Sequence, residues 1–257
     1  MKRQKIRKLL LIISLLLFPV TLYYFSPALI FDAGMKGIIN GSFIVFAVLF
    51  FLSIPFGRLF CAYLCPAGGL QECMFAVNDK LPKQGWRNKI KYVIWTVWIL
   101  AVIACYAVSG KSAGQAGMPA VKVDFFFETT NGISVSGVQS YIIYYGILCL
   151  ILIPALCGGK RTFCHYFCWM APFMALGMKL RRVLHLPGAS VKVKAKDECI
   201  SCGKCSRVCP MGVDVVRQIG DGQIKSPECI QCGACIDNCP RGVLSYDSIS
   251  NVFKKSP

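Results

Sequence analysis

Histidine is scarce in this sequence, and its scarcity limits the cofactors that the chain can hold. The 257 residues include two histidines, His165 and His185, and neither lies inside an apolar stretch long enough to cross a membrane. Two haem b groups held by paired histidines are therefore excluded, and haem c is excluded because no CxxCH motif occurs. The sequence also lacks GxGxxG and P-loop patterns, so we do not expect it to bind NAD(H) or hydrolyse a nucleotide.

Acidic residues are also few, since 12 Asp and Glu stand against 29 Lys and Arg, for a formal net charge of +17. The basic residues are spread along the flanks of apolar stretches and form no recognition motif, which argues against a nucleic-acid partner. We expect this charge to contact anionic lipid headgroups instead. The cores of the apolar stretches contain no charged residue, which argues against ion pumping by this chain alone.

Long apolar stretches are abundant, and hydrophobic residues make up 55% of the chain. Four stretches are long enough to cross about 30 Å of hydrocarbon. They are residues 9–25, 38–56, 92–108 and 139–156. The first follows a basic N-terminus and could be a secretory signal, but no small-residue cleavage site follows it, which favours an uncleaved helix.

The distribution of Lys and Arg predicts the orientation of these four spans. Only Lys36, Lys111 and Lys122 fall in the two connections that would lie outside. The positive-inside rule then places the N-terminus, the loop 57–91 and the chain after residue 157 in the cytoplasm. The sequence therefore predicts a multi-pass protein of the cytoplasmic (inner) membrane. Residues 1–186 would form a four-helix transmembrane domain, and residues 187–257 a small α+β cytoplasmic domain.

Two cysteine runs with the spacing CxxCxxCxxxCP occupy the predicted cytoplasmic domain. This spacing resembles that of bacterial two-cluster ferredoxins, in which three cysteines of one run and the fourth of the other hold each 4Fe-4S cluster. A zinc site or a disulfide framework is the alternative, although a cytoplasmic location favours metal ligation over disulfides. The expected first set is Cys199, Cys202, Cys205 and Cys239, and the second set is Cys229, Cys232, Cys235 and Cys209.

An internal repeat with an offset of 103 residues places a CxxxC pair after the second and the fourth predicted spans. Matched positions share Arg, Phe, Cys, Tyr and Cys, and parallel repeats of this kind bring equivalent elements together about an axis along the membrane normal. Cysteines four apart would lie on one side of a helical turn, so both pairs could serve one metal centre. The four residues, called here the four-cysteine centre, are Cys61, Cys65, Cys164 and Cys168.

Several occupants of the four-cysteine centre stay open at this point. A third iron-sulfur cluster, a copper or zinc ion, a redox-active dithiol and no cofactor are all compatible with the four thiols. Arg58 and Arg161 stand at matched positions and would lower thiolate pKa values and offset an anionic cluster, or would serve only as flank charges. Cys73 and Cys157 lie near the two pairs and could be substitute ligands. His165 could be a ligand, a proton carrier or a plain interfacial histidine.

The segments GRLFCAYLCPAGGLQE and CHYFCW, with the double ferredoxin run, resemble the membrane polyferredoxins that include NapH, the C-terminal part of NosR, CcoG and the YccM-like proteins. The resemblance extends from the first predicted helix to Pro240 and identifies Cys61, Cys65, Cys164 and Cys168 as the membrane-side motif cysteines. Two features depart from the family. Trp169 replaces a proline, with Pro172 three residues later, and no SGAT-type flavin attachment sequence is present.

The resemblance implies an iron-sulfur electron-transfer protein that connects the quinone pool or cytoplasmic donors with a partner redox subunit, such as a cytochrome or reductase. We expect a subunit of a quinol-linked oxidoreductase rather than a stand-alone enzyme. The alternative is a CcoG-like cupric reductase for assembly of a respiratory oxidase, and a simple membrane anchor is the third interpretation. Six aromatic residues at the predicted cytoplasmic face would form either an interfacial aromatic belt or an aromatic crevice for quinone. They are Phe56, Phe60, Tyr63, Tyr166, Phe167 and Trp169.

Overall fold

The structure, a computed structural model, describes residues 2–82, 85–115 and 122–247. Within these ranges the helices are α1 (Lys2–Leu16), α2 (Phe18–Thr21), α3 (Pro27–Met35), α4 (Gly41–Phe56), α5 (Leu59–Tyr63), α6 (Pro66–Cys73), α7 (Ile90–Gln115), α8 (Val138–Gly158), α9 (Thr162–Tyr166), α10 (Ala171–Val183), α11 (Lys204–Arg207), α12 (Val215–Gln218) and α13 (Ala234–Asp237). The strands are β1 (Ile38–Asn40), β2 (Lys122–Asp124), β3 (Ser190–Val193) and β4 (Leu244–Asp247).

The four strands form two small sheets at different places in the fold. Strands β1 and β2 pair in parallel, with Ile38 opposite Lys122, and so join the start of the predicted span 38–56 to the connection that follows the predicted span 92–108. Strands β3 and β4 pair antiparallel, with Ser190 opposite Asp247. Residues 187–247 are called here the dicluster segment. The second sheet pairs a strand near the start of this segment with a strand at its end.

Two helical stretches in the described residues are long and apolar enough to cross a membrane. They are Trp86–Ser109, with 24 residues, and Val138–Gly158, with 21. They contain the predicted spans 92–108 and 139–156. The predicted span 38–56 differs, because strand β1 occupies its start and leaves the 16-residue helix α4. Length and composition therefore support two of the four predicted spans.

The first predicted span, residues 9–25, is divided rather than continuous. Helix α1 ends at Leu16, α2 follows, and Tyr23–Phe25 forms a 3-10 turn. Pro19 lies in the first turn of α2, where its missing N–H donor is tolerated, but it could not continue the hydrogen bonds of α1. Residues 9–25 therefore do not form the single continuous helix that would cross about 30 Å.

The helices α4 and α8 both end at a glycine in a conformation that L side chains rarely adopt, just before the CxxxC pairs. Gly57 has φ 61° and Gly159 has φ 94°. A Cβ atom at Gly57 would meet the side chain of Gln231, and one at Gly159 would meet the carbonyl group of Lys80. Glycine is therefore required at both turns by conformation and by close packing.

The dicluster segment packs directly against the helical part of the chain. Arg3 of α1 forms an ion pair with Asp237 at 2.5 Å, and Gln4 donates to the Cys232 carbonyl at 3.0 Å. On the opposite side of the contact, His165 Nε2 lies 2.7 Å from the Met211 carbonyl oxygen. The basic N-terminus, which the sequence indicates as a flank facing lipid and solvent, therefore also serves as an internal contact.

Candidate functional site

Each CxxxC pair is formed by a short helix and the residues that follow it. Cys61 lies in α5 and Cys65 precedes α6, while Cys164 lies in α9 and Cys168 follows it. The amide of Cys65 donates to Phe60 O at 3.0 Å, and the amide of Cys168 donates to Phe163 O at 3.0 Å. Both short helices end between their two cysteines, so each pair lies at the end of a helix.

The second pair keeps the geometry of the first although Trp169 replaces the family proline. Leu64 N donates to Phe60 O at 2.9 Å, and Phe167 N donates to Phe163 O at the same distance. Pro66 begins α6, and Pro172 takes the corresponding place in the first turn of α10. The displaced proline therefore still begins the next helix, and Trp169 Nε1 donates to Phe25 O at 2.9 Å.

The structure brings the cysteines of both repeats together in the protein interior. Cys61, Cys65, Cys164 and Cys168 are each only 5–6% exposed. Cys61 Sγ lies 3.3 Å from the sulfur of Met174, and Gln71 Nε2 lies 3.1 Å from Cys164 Sγ. Cys73 and Cys157, by contrast, are exposed. The substitute ligands considered from the sequence are therefore not part of this buried group.

Ionising the four-cysteine centre without a bound cation is unfavourable. The pKa of Cys168 is raised to about 12, mainly by burial and further by the neighbouring thiols of Cys164 and Cys61. Burial also raises the pKa of Cys164, and Arg161 opposes that increase. Four mutually repelling buried thiolates require positive charge nearby, which a soft metal centre and cationic side chains can supply.

Two arginines at matched positions of the repeat provide part of that charge. Arg58 is 1% exposed and Arg161 is fully buried. Burial lowers the pKa of Arg58, but Cys61 and Glu228 outweigh this effect and hold it above its ordinary value. Arg161 donates from Nη1 to the Cys61 carbonyl at 2.7 Å. Both residues are internal charges of the site rather than flank charges.

Each arginine belongs to a buried group of two cations around one carboxylate. Glu72 accepts from Arg7 and Arg161, both at 2.6 Å. Glu228 accepts from Lys91 at 2.6 Å and from Arg58 at 3.3 Å. Glu228 comes from the dicluster segment, so this segment completes the ion group on one side.

The first set of tail cysteines lines one cavity. Its walls include Cys199, Cys202, Cys205 and Cys239, together with Ile219 and Val243. Cys202 is exposed and Cys199 is half-buried. The structure therefore brings together the four residues that the ferredoxin spacing predicts for one cluster, and this cavity opens toward the surface.

The second set lines another cavity, and none of its four cysteines is exposed. Cys209, from the first run, meets Cys229, Cys232 and Cys235, from the second. Burial and the nearby Cys232 and Cys229 raise the pKa of Cys209 to about 12. The exchange of the fourth cysteine between the two runs is thus present in the fold.

The three cysteine groups follow one another in space. Cys235 of the second set interacts electrostatically with Cys205 of the first set. On the other side, Cys229 is near Arg58, and Cys232 is near Arg7 and Arg161. The second set therefore lies between the first set and the four-cysteine centre.

The donor chemistry of the four-cysteine centre fits an iron-sulfur cluster. The centre contains four thiols, an amide that donates to Cys164 Sγ, and two arginines beside them. The buried Arg58 Nε has no hydrogen-bond partner among the described residues. An anionic sulfur cluster would accept from such a donor. Among the residues that the structure describes, no three His, Cys, Asp or Glu side chains converge closely enough for a single metal ion.

Comparison with known proteins agrees with this chemistry. A family described as 4Fe-4S binding domain matches residues 41–84 and again residues 142–187, and a family described as 4Fe-4S dicluster domain matches residues 198–244. The chain is a ferredoxin-like iron-sulfur protein. The double match of one family coincides with the two halves of the repeat, and each half contributes one CxxxC pair.

Two uncharacterized proteins of Methanocaldococcus jannaschii are similar in sequence. One is 25% identical over 193 residues, which cover 72% of this chain and 72% of the relative. The other is 26% identical over 185 residues, which cover 68% of this chain and 59% of the relative. No solved structure matches the chain.

Sequence reasoning missed four residues of the site, namely Gln71, Glu72, Lys91 and Glu228. Gln71 and Lys91 are at most 1% exposed. The signal that could have found Glu228 is its position directly before Cys229, in a chain where only 12 residues are acidic. The other three are ordinary polar residues in sequence, and only folding places them beside the cysteines.

Proposed function

We propose that this protein is a membrane-bound electron relay in which the first set, the second set and the four-cysteine centre each hold a 4Fe-4S cluster. Bound clusters would supply one-electron transfer. The observation that carries the proposal is the burial of all four CxxxC cysteines beside the second set. That contact is made through Arg58 and Glu228, and through His165 and Met211 close to them.

The first set is the proposed contact point for a soluble redox partner. Cys202 is exposed, whereas the cysteines of the four-cysteine centre are buried. A donor or acceptor such as a reductase or cytochrome subunit could approach this surface. The buried second set would then pass electrons between this surface and the four-cysteine centre.

An apolar cleft beside the four-cysteine centre supports quinone as the membrane-side reactant. The cleft has a volume of about 610 Å³, within the range of ligand pockets, and Met174 links it to Cys61. Its walls contain three of the six aromatic residues of the predicted crevice, Phe56, Phe60 and Tyr63. Tyr166, Phe167 and Trp169 lie outside it, so the proposed quinone cleft is completed instead by Leu49, Leu52, Leu59, Leu64, Ala189 and Tyr246.

Membrane insertion is proposed on the basis of the outward surfaces of α7 and α8. Val93, Val97 and Leu100 of α7 are 61–65% exposed, and Ile142 and Tyr145 of α8 are 68% and 60% exposed. Lipid would cover these side chains, because such apolar surface is unfavourable in water. With the positive-inside orientation, the dicluster segment faces the cytoplasm and the protein crosses the inner membrane several times.

A second candidate function, reduction of cupric ion, is favoured by one contact. The thioether of Met174 and the thiol of Cys61 lie 3.3 Å apart, and soft sulfur ligands of this kind suit cuprous ion. Formation of cuprous ion by the purified, reduced protein at a rate that depends on Met174 would favour this function over quinone chemistry.

Iron content tests the third cluster. Anaerobically purified protein should contain about twelve irons, with matching acid-labile sulfide, if three cubanes are bound. The double variant Cys61→Ser/Cys164→Ser should retain about eight irons. The matched control is Cys73→Ser/Cys157→Ser, which alters two exposed cysteines nearby and should retain the full content. About eight irons in the wild-type protein would overturn the third cluster.

Quinone binding has a separate test. A menaquinol analogue should bleach the cluster absorbance of the wild-type protein in detergent, and Leu59→Trp should slow this reduction by filling the cleft. Phe51→Trp is the control, because Phe51 lines a different cavity. An unchanged rate in Leu59→Trp with full iron content would count against this cleft as the site.

A further inference from the structure

The two buried ion groups described above occupy the contact between the second set and the four-cysteine centre. Arg58 interacts electrostatically with Cys229 of the second set and with Cys61 of the centre. Arg161 interacts with Cys232 of the second set and with Cys164. Each arginine therefore faces cysteines of two different groups, and its charge acts on both.

The charges of these groups do not cancel. Two carboxylates, Glu72 and Glu228, face four cations, Arg7, Arg161, Arg58 and Lys91, which leaves two positive charges in the protein interior. An oxidised 4Fe-4S core with four thiolates carries about two negative charges. The excess cationic charge therefore matches the charge of one cluster, which gives a physical reason for burying four cations.

Lys91 and Glu228 are the pair in which this charge can be changed most selectively. Lys91 Nζ lies 2.6 Å from Glu228 Oε1, and the Lys91 side chain is fully buried. Lys91 also interacts electrostatically with Cys168. Glu228 reaches Arg58 with its other oxygen, and Arg58 additionally donates to Pro227 O at 2.9 Å.

We propose that Lys91 and Glu228 are positioning residues of the four-cysteine centre, which hold Arg58 against it and set its reduction potential by their charges. The proposal rests on the proposed function, because it assumes a cluster at this centre. Reduction adds one electron, supplied by quinol or by a cluster of the dicluster segment, and no bond forms or breaks. A nearby cation favours the reduced form and a nearby carboxylate opposes it.

The dicluster segment offers a matched control for Glu228. Glu198 directly precedes Cys199 as Glu228 directly precedes Cys229, so the two residues occupy the same position of the two cysteine runs. Glu198 is exposed, whereas Glu228 is 5% exposed. Glu198→Gln and Glu228→Gln therefore remove the same charge from equivalent places, one screened by water and one buried in the contact.

The experiment is a redox titration of the loaded, full-length protein, followed by electron paramagnetic resonance. Glu228→Gln should raise the ratio of reduced to oxidised four-cysteine centre at a fixed potential by about tenfold, or about 59 mV for a one-electron couple. Lys91→Met should lower this ratio by a similar factor, and the double variant should return toward the wild-type value. Glu198→Gln should leave the ratio unchanged.

Lys91→Met keeps the proposal testable if Glu228→Gln does not fold, because Glu228 would still be paired with Arg58. Unchanged potentials in Lys91→Met with full iron content would overturn the proposal. So would an equal shift in Glu198→Gln, since that result would show a general charge effect rather than the buried contact. Only eight irons in the wild-type protein would instead refute the third cluster, so the two failures are distinguishable.

Discussion

Gln71 Nε2 lies 3.1 Å from Cys164 Sγ, so a side chain of the first repeat donates to a cysteine of the second. The carbonyl oxygen of the same amide accepts from Phe163 N at 3.0 Å. Gln71 is fully buried. One side chain therefore fixes the second CxxxC pair relative to the first.

Replacement of Gln71 should weaken this connection without removing any proposed ligand. Gln71→Leu leaves the Phe163 N–H group buried without its acceptor, which should lower the free energy of unfolding by about 1–3 kcal/mol. Thermal unfolding in detergent measures the change. Gln139→Leu, at an exposed position of α8, serves as the control and should have little effect. Equal stability of the two variants would contradict the assigned role.

The exchange of cysteines between the two runs predicts an unusual pattern of cluster loss. Cys209→Ser should remove the same spectroscopic species as Cys232→Ser, although Cys209 belongs to the same run as Cys205. Cys205→Ser should remove the species that Cys239→Ser removes. Electron paramagnetic resonance of the four reduced variants checks these pairs. If Cys209→Ser and Cys205→Ser removed the same spectroscopic species, the assignment would be refuted.

Close packing of α1 on α6 predicts a severe effect at Gly69. A Cβ atom there would lie 2.6 Å from the carbonyl oxygen of Leu11, so Gly69→Ala must separate the two helices. We expect a loss of about 1–3 kcal/mol in the free energy of unfolding. Gly146→Ala, in α8, meets nothing within 4 Å and should be neutral or stabilising. Thermal unfolding of both variants, with iron content as a second measurement, provides the comparison.

The ion group around Glu72 predicts an acid-dependent loss of stability. Burial alone would raise the pKa of Glu72, but Arg161 and Arg7 hold it below its ordinary value of 4.5. A depressed pKa contributes stability that is present above the unfolded value and is lost as pH falls through the folded value. Glu72→Gln should therefore be less stable than the wild-type protein at about pH 6, and the difference should shrink below about pH 4. Thermal midpoints measured across this range would contradict the prediction if the difference stayed constant.

Much of the site was predictable from spacing, because ligand patterns are local in sequence. The double CxxCxxCxxxCP run predicts which tail cysteines meet, and the 103-residue repeat predicts that the two CxxxC pairs converge. Both groupings are present in the structure. The ligand roles of these cysteines stay predictions.

The helices were harder to predict than the cysteines. Hydropathy alone indicates a single span over residues 9–25, whereas α1 ends at Leu16 and α2 begins at Phe18. Hydropathy also gives no indication of the amphipathic helices α6 and α10, which have 8 and 13 residues and are too short to span a membrane. The contacts of Glu72, Lys91 and Glu228 depend on how these elements pack, which no local pattern encodes.

Glu72 and Glu228 come from different parts of the sequence, and this difference affects the order in which the protein can fold during synthesis. Glu72 is synthesised within the first repeat, but Glu228 follows Arg58 and Lys91 by 170 and 137 residues. Until residue 228 has left the ribosome and reached its place, a buried Arg58 and Lys91 would have no counter-charge, a state that costs about 3–5 kcal/mol. We therefore expect the part of the chain around Arg58 and Lys91 to close fully only late in biogenesis, after the dicluster segment has docked.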